Sequence, residues 1–255
     1  MILQNLARAI REQNYYAVFL EFVIVIAGVV IGFQVTAWNE DRVDRAEERE
    51  IIARLRVEFR EIVATGEDYI AQKAHHQQVL EQWIIAAEDP EPLDYDRLRV
   101  LVLAAFERDY PERALELSED RPGQIFTAPL GRNRMPEPSI VFQQLVASGE
   151  LSLIRSNRLR DALSRRDVQR TQSVSQIERN LAAAHFSMGQ SFLQAAFQSG
   201  TDNPKQTLTE AMTAPDFSPG LRTYAGLQSF NNMWYANVHE ETMEVLEILE
   251  REGTE

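Results

Sequence analysis

The sequence predicts an all-α protein in which an N-terminal transmembrane helix continues into a long stalk helix, followed by an elongated antiparallel helix bundle. Three observations lead to this prediction. Residues 17–38 form an apolar run that is interrupted by one carboxylate, Glu21, and one amide, Gln34. The following residues show helical spacing of apolar side chains and no sustained alternation of period two. Glycine and proline are sparse, at 11 and 10 residues, which disfavours turn-rich all-β proteins.

The chain divides into a leader and anchor at 1–39 and a helical-bundle domain at 40–255. The formal net charge of -13 belongs to the second part, where 24 basic residues face 37 acidic ones. A surface with this charge repels nucleic acid and anionic lipid, so we expect no nucleic-acid partner. The chain has no cysteine, which excludes disulfides, thiolate chemistry and cysteine metal sites.

As a helix, the run 17–38 would be about 33 Å long, enough to cross the hydrocarbon core of a bilayer. Three interpretations are open. The run is a retained signal-anchor, or a signal peptide cleaved after Ala37 with Val35 as the other small residue before the cut. Alternatively it is a buried core helix, because its uninterrupted apolar part, 22–33, is short. Aromatic residues suited to the membrane interface favour retention: Tyr15, Tyr16 and Trp38.

One face of this helix is predicted to associate with another helix inside the membrane. It carries a carboxylate, two glycines four residues apart and an amide: Glu21, Gly28, Gly32 and Asn39. Small residues four apart let helices approach closely, and a carboxylate inside a membrane needs a partner or a proton. The alternative is that Glu21 lies near the headgroups and the glycines have no role.

The charged residues around the anchor leave its orientation open. Arg8 and Arg11 precede the run, and a larger group of arginines follows it: Arg42, Arg45, Arg49, Arg54 and Arg56. Counted alone, these arginines would place the large domain in the cytoplasm. Acidic residues are mixed among them, however, and local pairing would cancel their effect.

Two motifs resemble a bacterial family of uncharacterised single-span membrane proteins. Residues 21–34 read EFVIVIAGVVIGFQ and are followed by Trp-Asn-Glu at 38–40, which is similar to the opening of that family. Residues 148–154 read SGELSLI and are similar to its internal Ser-Gly-x-Leu-x-x-Ile segment. The resemblance implies a protein of the inner membrane, with the N-terminus inside and the helical domain in the periplasm. It implies no activity, because the family has none assigned.

Residues 40–88 are predicted to form one long helix, or two collinear helices that meet in a bend at Gly66. Apolar residues recur there at alternating steps of three and four, a spacing typical of a coiled-coil stalk. A proline at 90 is expected to end this helix.

The remaining elements follow from caps and periodicity. Asp94 is predicted to cap a short helix over 97–107, and a proline-rich stretch at 108–138 is predicted to be a long loop. A short helix at 139–147 comes next. Three further elements complete the chain: a helix over 157–198 capped by Ser156 or Asn157, a loop at 199–219 and a final helix over 221–252. Four long amphipathic helices together predict the elongated bundle.

The sequence lacks the motifs that carry catalysis or hold cofactors. It has no Glu-x-x-His pair of the di-iron bundles, no His-Glu-x-x-His, no glycine-rich phosphate loop and no Gly-x-Ser-x-Gly elbow. We therefore expect a non-catalytic protein with no metal and no cofactor.

One group of arginines stands out against the acidic background: Arg155, Arg158, Arg165, Arg166 and Arg170. It is interpreted as a docking patch for an acidic partner, an anion or a headgroup. In the alternative interpretation these arginines pair with acidic residues of the first long helix, such as Glu47, Glu50, Glu58 and Glu61.

Two functions are consistent with these features. The leading hypothesis is a single-pass membrane protein whose helical domain binds a protein partner or scaffolds a membrane complex, as a homo-oligomer or with another protein. The second is a ligand-sensing bundle coupled to the stalk, which requires a pocket lined by aromatic and polar side chains. The aromatic candidates for such a pocket, which are equally consistent with a core, are Trp83, Phe186, Phe192, Phe197, Phe230, Trp234 and Tyr235.

Overall fold

The computed structural model describes residues 15–89, 91, 93–112, 114, 122–130, 133–197 and 203–252. Within these residues all regular structure is helical. The α-helices are α1 (Tyr15–Ala87), α2 (Tyr95–Asp109), α3 (Pro122–Thr127), α4 (Ile140–Ser148), α5 (Asn157–Ser187), α6 (Gln190–Phe197), α7 (Pro204–Met212) and α8 (Phe217–Glu252). A short 3₁₀ helix, Glu150–Leu153, joins α4 to α5. The predicted all-α class is confirmed.

Helix α1 contains both the apolar run and the stalk in one unbroken element of 73 residues. By length and composition it is long and apolar enough to cross a membrane, and none of its most apolar 18-residue stretch is buried. The interpretation of this run as a buried core helix was therefore wrong. The leader residues 1–14, with Arg8 and Arg11, lie outside the described residues.

Helix α1 continues without a break through Gly66, so the stalk is one long helix, the first of the two predictions. A Cβ atom at Gly66 would lie 2.4 Å from Nδ1 of His239, so this glycine lets α8 approach α1 closely. The helix ends at Ala87, as the proline at 90 predicts. The cap at Asp94 is also confirmed, because its carboxylate accepts a hydrogen bond of 2.8 Å from the backbone N–H of Arg97.

Helix α8 runs antiparallel to the second half of α1. Near the anchor, the guanidinium of Arg56 donates to the carbonyl oxygen of Leu249 at 3.0 Å. Further along α1, Nζ of Lys73 lies 3.4 Å from Oε1 of Gln228. Residue numbers thus rise on one helix as they fall on the other, which is the predicted antiparallel arrangement.

Helix α5 packs on α8 in the same antiparallel sense. Arg166 donates through Nε to the hydroxyl of Thr242 at 3.1 Å, and Asn180 donates to the side-chain oxygen of Asn231 at 2.9 Å. Helices α1 and α5 therefore run parallel to each other, with α8 in contact with both. The result is the elongated bundle.

Two hydrophobic cores lie at opposite ends of this bundle. The core near the anchor includes Leu55, Phe59, Ile154, Leu159, Val245 and Leu249. The distal core includes Trp83, Leu98, Phe126, Phe192, Phe217 and Leu221. Between them α1, α5 and α8 contribute polar side chains that are described below.

The sequence predicts a loop over the whole of 108–138, but part of this stretch is helical. Residues Pro122–Thr127 form α3, with the proline at the first helical position, where its missing N–H costs no hydrogen bond. Ile125 and Phe126 are completely buried in the distal core. The burial of these two side chains accounts for the helix. The sequence does not predict α3, because six residues are too few to show a helical period.

The predictions for 157–198 and 199–219 also need correction. The first stretch is two helices, because α5 ends at Ser187 and α6 begins at Gln190. A Cβ at Gly189, between them, would lie 2.5 Å from the backbone oxygen of Asp216. The second stretch contains α7, whose Leu208 is buried in the distal core, and the first turn of α8.

Candidate functional site

The proposed intramembrane face is exposed along its whole length. Glu21, Gly28, Gly32 and Asn39 are all exposed, and Cβ atoms built on the two glycines would meet no other atom within 4 Å. Among the described residues, none of the body packs against Gly28 or Gly32. It is thus open to lipid or to another helix.

The predicted interface anchors stand at the two ends of the apolar run. Tyr16 is 76% exposed and Trp38 is 65% exposed, and they are separated by about 33 Å along the helix. The guanidinium carbon of Arg42 lies 6.0 Å from the centre of the Trp38 ring. The side chain of Tyr15 lies outside the described residues.

Arg155 joins α1 to the body just after the apolar run ends. Its guanidinium forms an ion pair with Asp41, and its backbone N–H donates to Oε1 of Glu48 at 2.6 Å. The hydrogen bond from Arg155 holds the pKa of the Asp41 carboxyl below its ordinary value. Because Asp41 is only three residues beyond Trp38, this end of the body lies beside the predicted membrane interface.

Arg165 belongs to an ion-pair network on the surface of α5 and α8. Its Nε lies 3.0 Å from Oε2 of Glu241, and its Nη2 lies 2.9 Å from Oε1 of Glu244. These carboxylates raise the pKa of Arg165 above its ordinary value, chiefly through the hydrogen bond that Arg165 donates to Glu241. The guanidinium is therefore already paired within the chain.

Arg166 and Arg170 hold a non-helical segment, residues 133–139, which we call the strap. Arg166 donates through Nη2 to the carbonyl oxygen of Glu137 at 2.5 Å, and Arg170 donates through Nε to that of Pro136 at 3.0 Å. Arg166 is buried, and burial lowers its pKa to about 10. These two arginines stabilise the strap against α5.

The contacts of the arginine group favour pairing within the chain over docking. Arg155 pairs with Asp41 and Glu48 on α1, the helix that the alternative interpretation named, and the charge of Glu58 acts on Arg166. Arg165 instead pairs with Glu241 and Glu244 on α8. Arg158 is exposed, and it forms no ion pair with a carboxylate in the described part of the chain.

The middle of the bundle contains a polar section between the two hydrophobic cores. We define it by Tyr69, Lys73, Arg166, Ser173, Gln228 and Asn231. The two cations and the two amides, Lys73, Arg166, Gln228 and Asn231, are each at least nine-tenths buried. Ser173 is completely buried. Among the described residues Oγ of Ser173 and Nη1 of Arg166 lack a hydrogen-bond partner. Unsatisfied buried polar atoms of this kind cost stability.

Lys73 is the least expected member of the polar section. It is 4% exposed, and its Nζ lies 3.3 Å from Oδ1 of Asn133 and 3.4 Å from Oε1 of Gln228. Among the described residues no carboxylate pairs with it, and burial lowers its pKa to about 8. The signal for this site was present in the sequence, since Lys73 occupies an inward-facing position of the stalk pattern.

The aromatic candidates separate into different environments. Trp83 and Phe192 are buried in the distal core, and Tyr235 packs on Tyr69 with ring centres 4.3 Å apart. Phe230 is 58% exposed on α8. The side chains of Phe186 and Phe197 lie outside the described residues. The structure therefore does not bring this set together into one site.

Within the described ranges no group of three or more His, Asp or Glu side chains is placed to hold a metal ion. Comparison of the chain with protein-family models, with curated proteins and with solved structures finds no match. The geometry of α1 and of the polar section is therefore the basis for inferring function.

Proposed function

We propose that this protein is a non-catalytic, single-pass membrane protein whose helical body binds a protein partner or scaffolds a complex at the membrane surface. The observation that carries this proposal is the continuity of α1. One unbroken helix contains an apolar part with no burial and, from Ile51 onward, a buried face packed against the body. A partner bound by the body is thereby held at a fixed place beside the bilayer.

The partner of the apolar part is the lipid bilayer, and we propose the inner membrane with the body in the periplasm. The family resemblance of residues 21–40 supports this orientation. A reporter that is active on only one side of the membrane, fused after Glu255, tests it. Activity of a periplasmic reporter is expected, and activity confined to a cytoplasmic reporter would reverse the orientation.

The exposed face with Glu21 is proposed as the place where another membrane helix binds. Burial of a carboxylate in hydrocarbon is costly, and a hydrogen-bonded partner helix would lower that cost. Gly28 and Gly32 leave room for such a helix to approach.

Crosslinking in intact membranes tests this role of the face. Glu21→Ala is expected to lose crosslinked partners that wild type retains. Glu178→Ala is the matched control, since it removes an exposed carboxylate from α5. Identical partner sets for wild type and Glu21→Ala would remove the role proposed for the face.

The polar section supports a second candidate function, a ligand-sensing bundle. Lys73 has no carboxylate partner among the described residues, so an anionic small molecule that reached it would supply the missing charge. Inorganic phosphate and succinate are suitable probes. In this case they would raise the melting temperature of wild type and leave that of Lys73→Met unchanged; equal melting curves with and without them would remove this candidate.

A further inference from the structure

The exposed face of α1 does not stop where the apolar run ends. At about 100° per residue, the residues that fall within about 40° of the line through Gly28 continue along the stalk. Those with small or apolar side chains are Gly28, Gly32, Val35, Ala46, Ala53, Val57 and Ala64, and all are exposed. Thus the same face continues from the membrane segment along the body.

The body leaves this face free because it packs on the opposite side of α1. Asp41 and Glu48, which contact Arg155, lie about 140–160° away from the line through Gly28. The buried Leu55 lies about 180° away. The free face ends near His75, which is buried against Phe106 with ring centres 4.9 Å apart.

Charges of opposite sign border the two edges of this face between residues 40 and 64. One edge carries only arginines as charged residues: Arg42, Arg45, Arg49, Arg56 and Arg60. The other edge is mainly acidic: Glu40, Glu47, Glu50, Glu58 and Glu61. Arg54 also lies on the acidic edge, and its guanidinium donates to Oε1 of Gln144 in its own chain at 3.0 Å. Other edge charges also have partners in their own chain: Arg45 pairs with Asp41, Arg56 and Arg60 pair with Glu250, and Glu58 accepts hydrogen bonds from Ser139 and Ile140.

This segregation of charge fits a parallel pair of identical helices. When two parallel copies meet face to face about a twofold axis, the basic edge of each lies beside the acidic edge of the other. In an antiparallel pair, like edges would meet and repel. Two copies inserted in one membrane with the same orientation are necessarily parallel, so the charges and the anchor favour the same arrangement.

The geometry points to a second copy of this chain as the occupant: we propose a parallel dimer along α1, from the Gly28 level in the membrane to about Ala64. In a heptad register with Val43, Glu50 and Val57 at position a, Arg42 stands at g and Glu47 at e. Each Arg42 then lies beside Glu47 of the second copy. The inference rests on the proposed membrane anchorage, and it identifies a second copy of the chain as the partner of the free face of α1.

Cysteine crosslinking of the full chain in membranes tests the dimer, because the native sequence has no cysteine. Ala46→Cys and Ala53→Cys, on the free face, are expected to form disulfide-linked dimers on mild oxidation. Ala182→Cys is the matched control, since it changes an exposed alanine on α5. Absence of dimer from both face variants, or equal yields from all three, would overturn the proposal.

Charge reversal tests the parallel arrangement. In the Ala53→Cys background, Glu47→Arg is expected to lower the dimer yield at least threefold, because it places two arginines side by side. Adding Arg42→Glu should restore the yield by exchanging the charges. The pairing would be contradicted if the dimer yield stayed the same in both variants. A crosslinked product whose mass is not that of two copies of the chain would also contradict it.

An alkaline wash of the same membranes distinguishes failure of the dimer proposal from failure of the proposed membrane anchor. If the cysteine variants stay in the membrane after an alkaline wash and form no dimer, the dimer is wrong and the anchor stands. If the chain leaves the membrane in that wash, the proposed anchored function itself is wrong.

Discussion

At the scale of single residues, Lys73 and Gly66 differ from the apolar side chains that share their inward positions in the middle of the stalk. Both occupy inward positions of an apolar pattern, yet Lys73 is a buried cation and Gly66 is a point where α8 approaches closely. Periodicity indicates which residues face inward. It does not indicate whether an inward residue meets a hydrophobic core, a polar section or the ring of His239.

Lys73→Met is expected to stabilise the protein by about 2 kcal/mol at pH 7, because it removes a buried charge without an acidic partner. The pKa of Lys73 is lowered to about 8 from an ordinary value of 10.5. Between these values the unfolded chain binds more protons than the folded one, so the free energy of unfolding of wild type should rise with pH.

Chemical denaturation from pH 7 to 10.5 measures this effect, with Lys205→Met as the control for loss of an exposed lysine. The rise due to Lys73 should be absent in Lys73→Met and retained in Lys205→Met. A Lys73→Met variant that is less stable than wild type at pH 7 would contradict the cost assigned to this charge.

Gly66→Ala is expected to destabilise the protein by about 1–3 kcal/mol, although alanine is the better helix former. The new Cβ would collide with the ring of His239. Gly226→Ala is the matched control, because a Cβ there meets nothing within 4 Å, and it should stabilise α8 by about 0.5–1 kcal/mol. Thermal or urea unfolding distinguishes the two, and equal stabilisation by both would contradict the close approach.

At the scale of helices, the long amphipathic elements and their caps could be predicted from the sequence. The stalk, the cap at Asp94 and the cap at Ser156 each depend on local spacing and local hydrogen bonds. Helices α3 and α7 could not be predicted, because six to nine residues show little period and their burial in the distal core depends on distant parts of the chain.

The candidate sites also differ in whether the sequence alone could predict them. The exposed face with Gly28 follows from helical spacing alone. The contacts of Arg155, Arg165 and Arg166 instead depend on which surfaces the fold brings together, since their partners lie tens of residues away in the sequence. The sequence could indicate that these arginines needed partners, but not which ones.

Glu58 joins α1 to the start of α4, and its removal is expected to cost about 1–2 kcal/mol. Its carboxylate accepts hydrogen bonds from the hydroxyl of Ser139 at 2.5 Å and from the backbone N–H of Ile140 at 2.6 Å. Glu61→Ala is the control, because this exposed carboxylate lies one turn away on α1. Urea denaturation should show Glu58→Ala to be the less stable variant; equal midpoints would contradict this role.

At the scale of the whole molecule, α1 contains both the apolar run proposed to span the membrane and part of the bundle. The pair between Arg155 and Asp41 keeps the body close to the end of the apolar run, while the outer face of α1 stays open. One continuous helix thus connects the apolar run to the body, with no linker between them among the described residues.

The most direct test of this account is alkaline extraction of membranes that contain the full chain. We expect the intact chain, first residue included, to remain with the lipid. The double variant Ile24→Arg/Val29→Arg should be released, because each charge at the centre of the run costs about 3 kcal/mol. Recovery of the intact wild-type chain in the lipid-free supernatant would contradict the membrane anchor on which every functional proposal here depends.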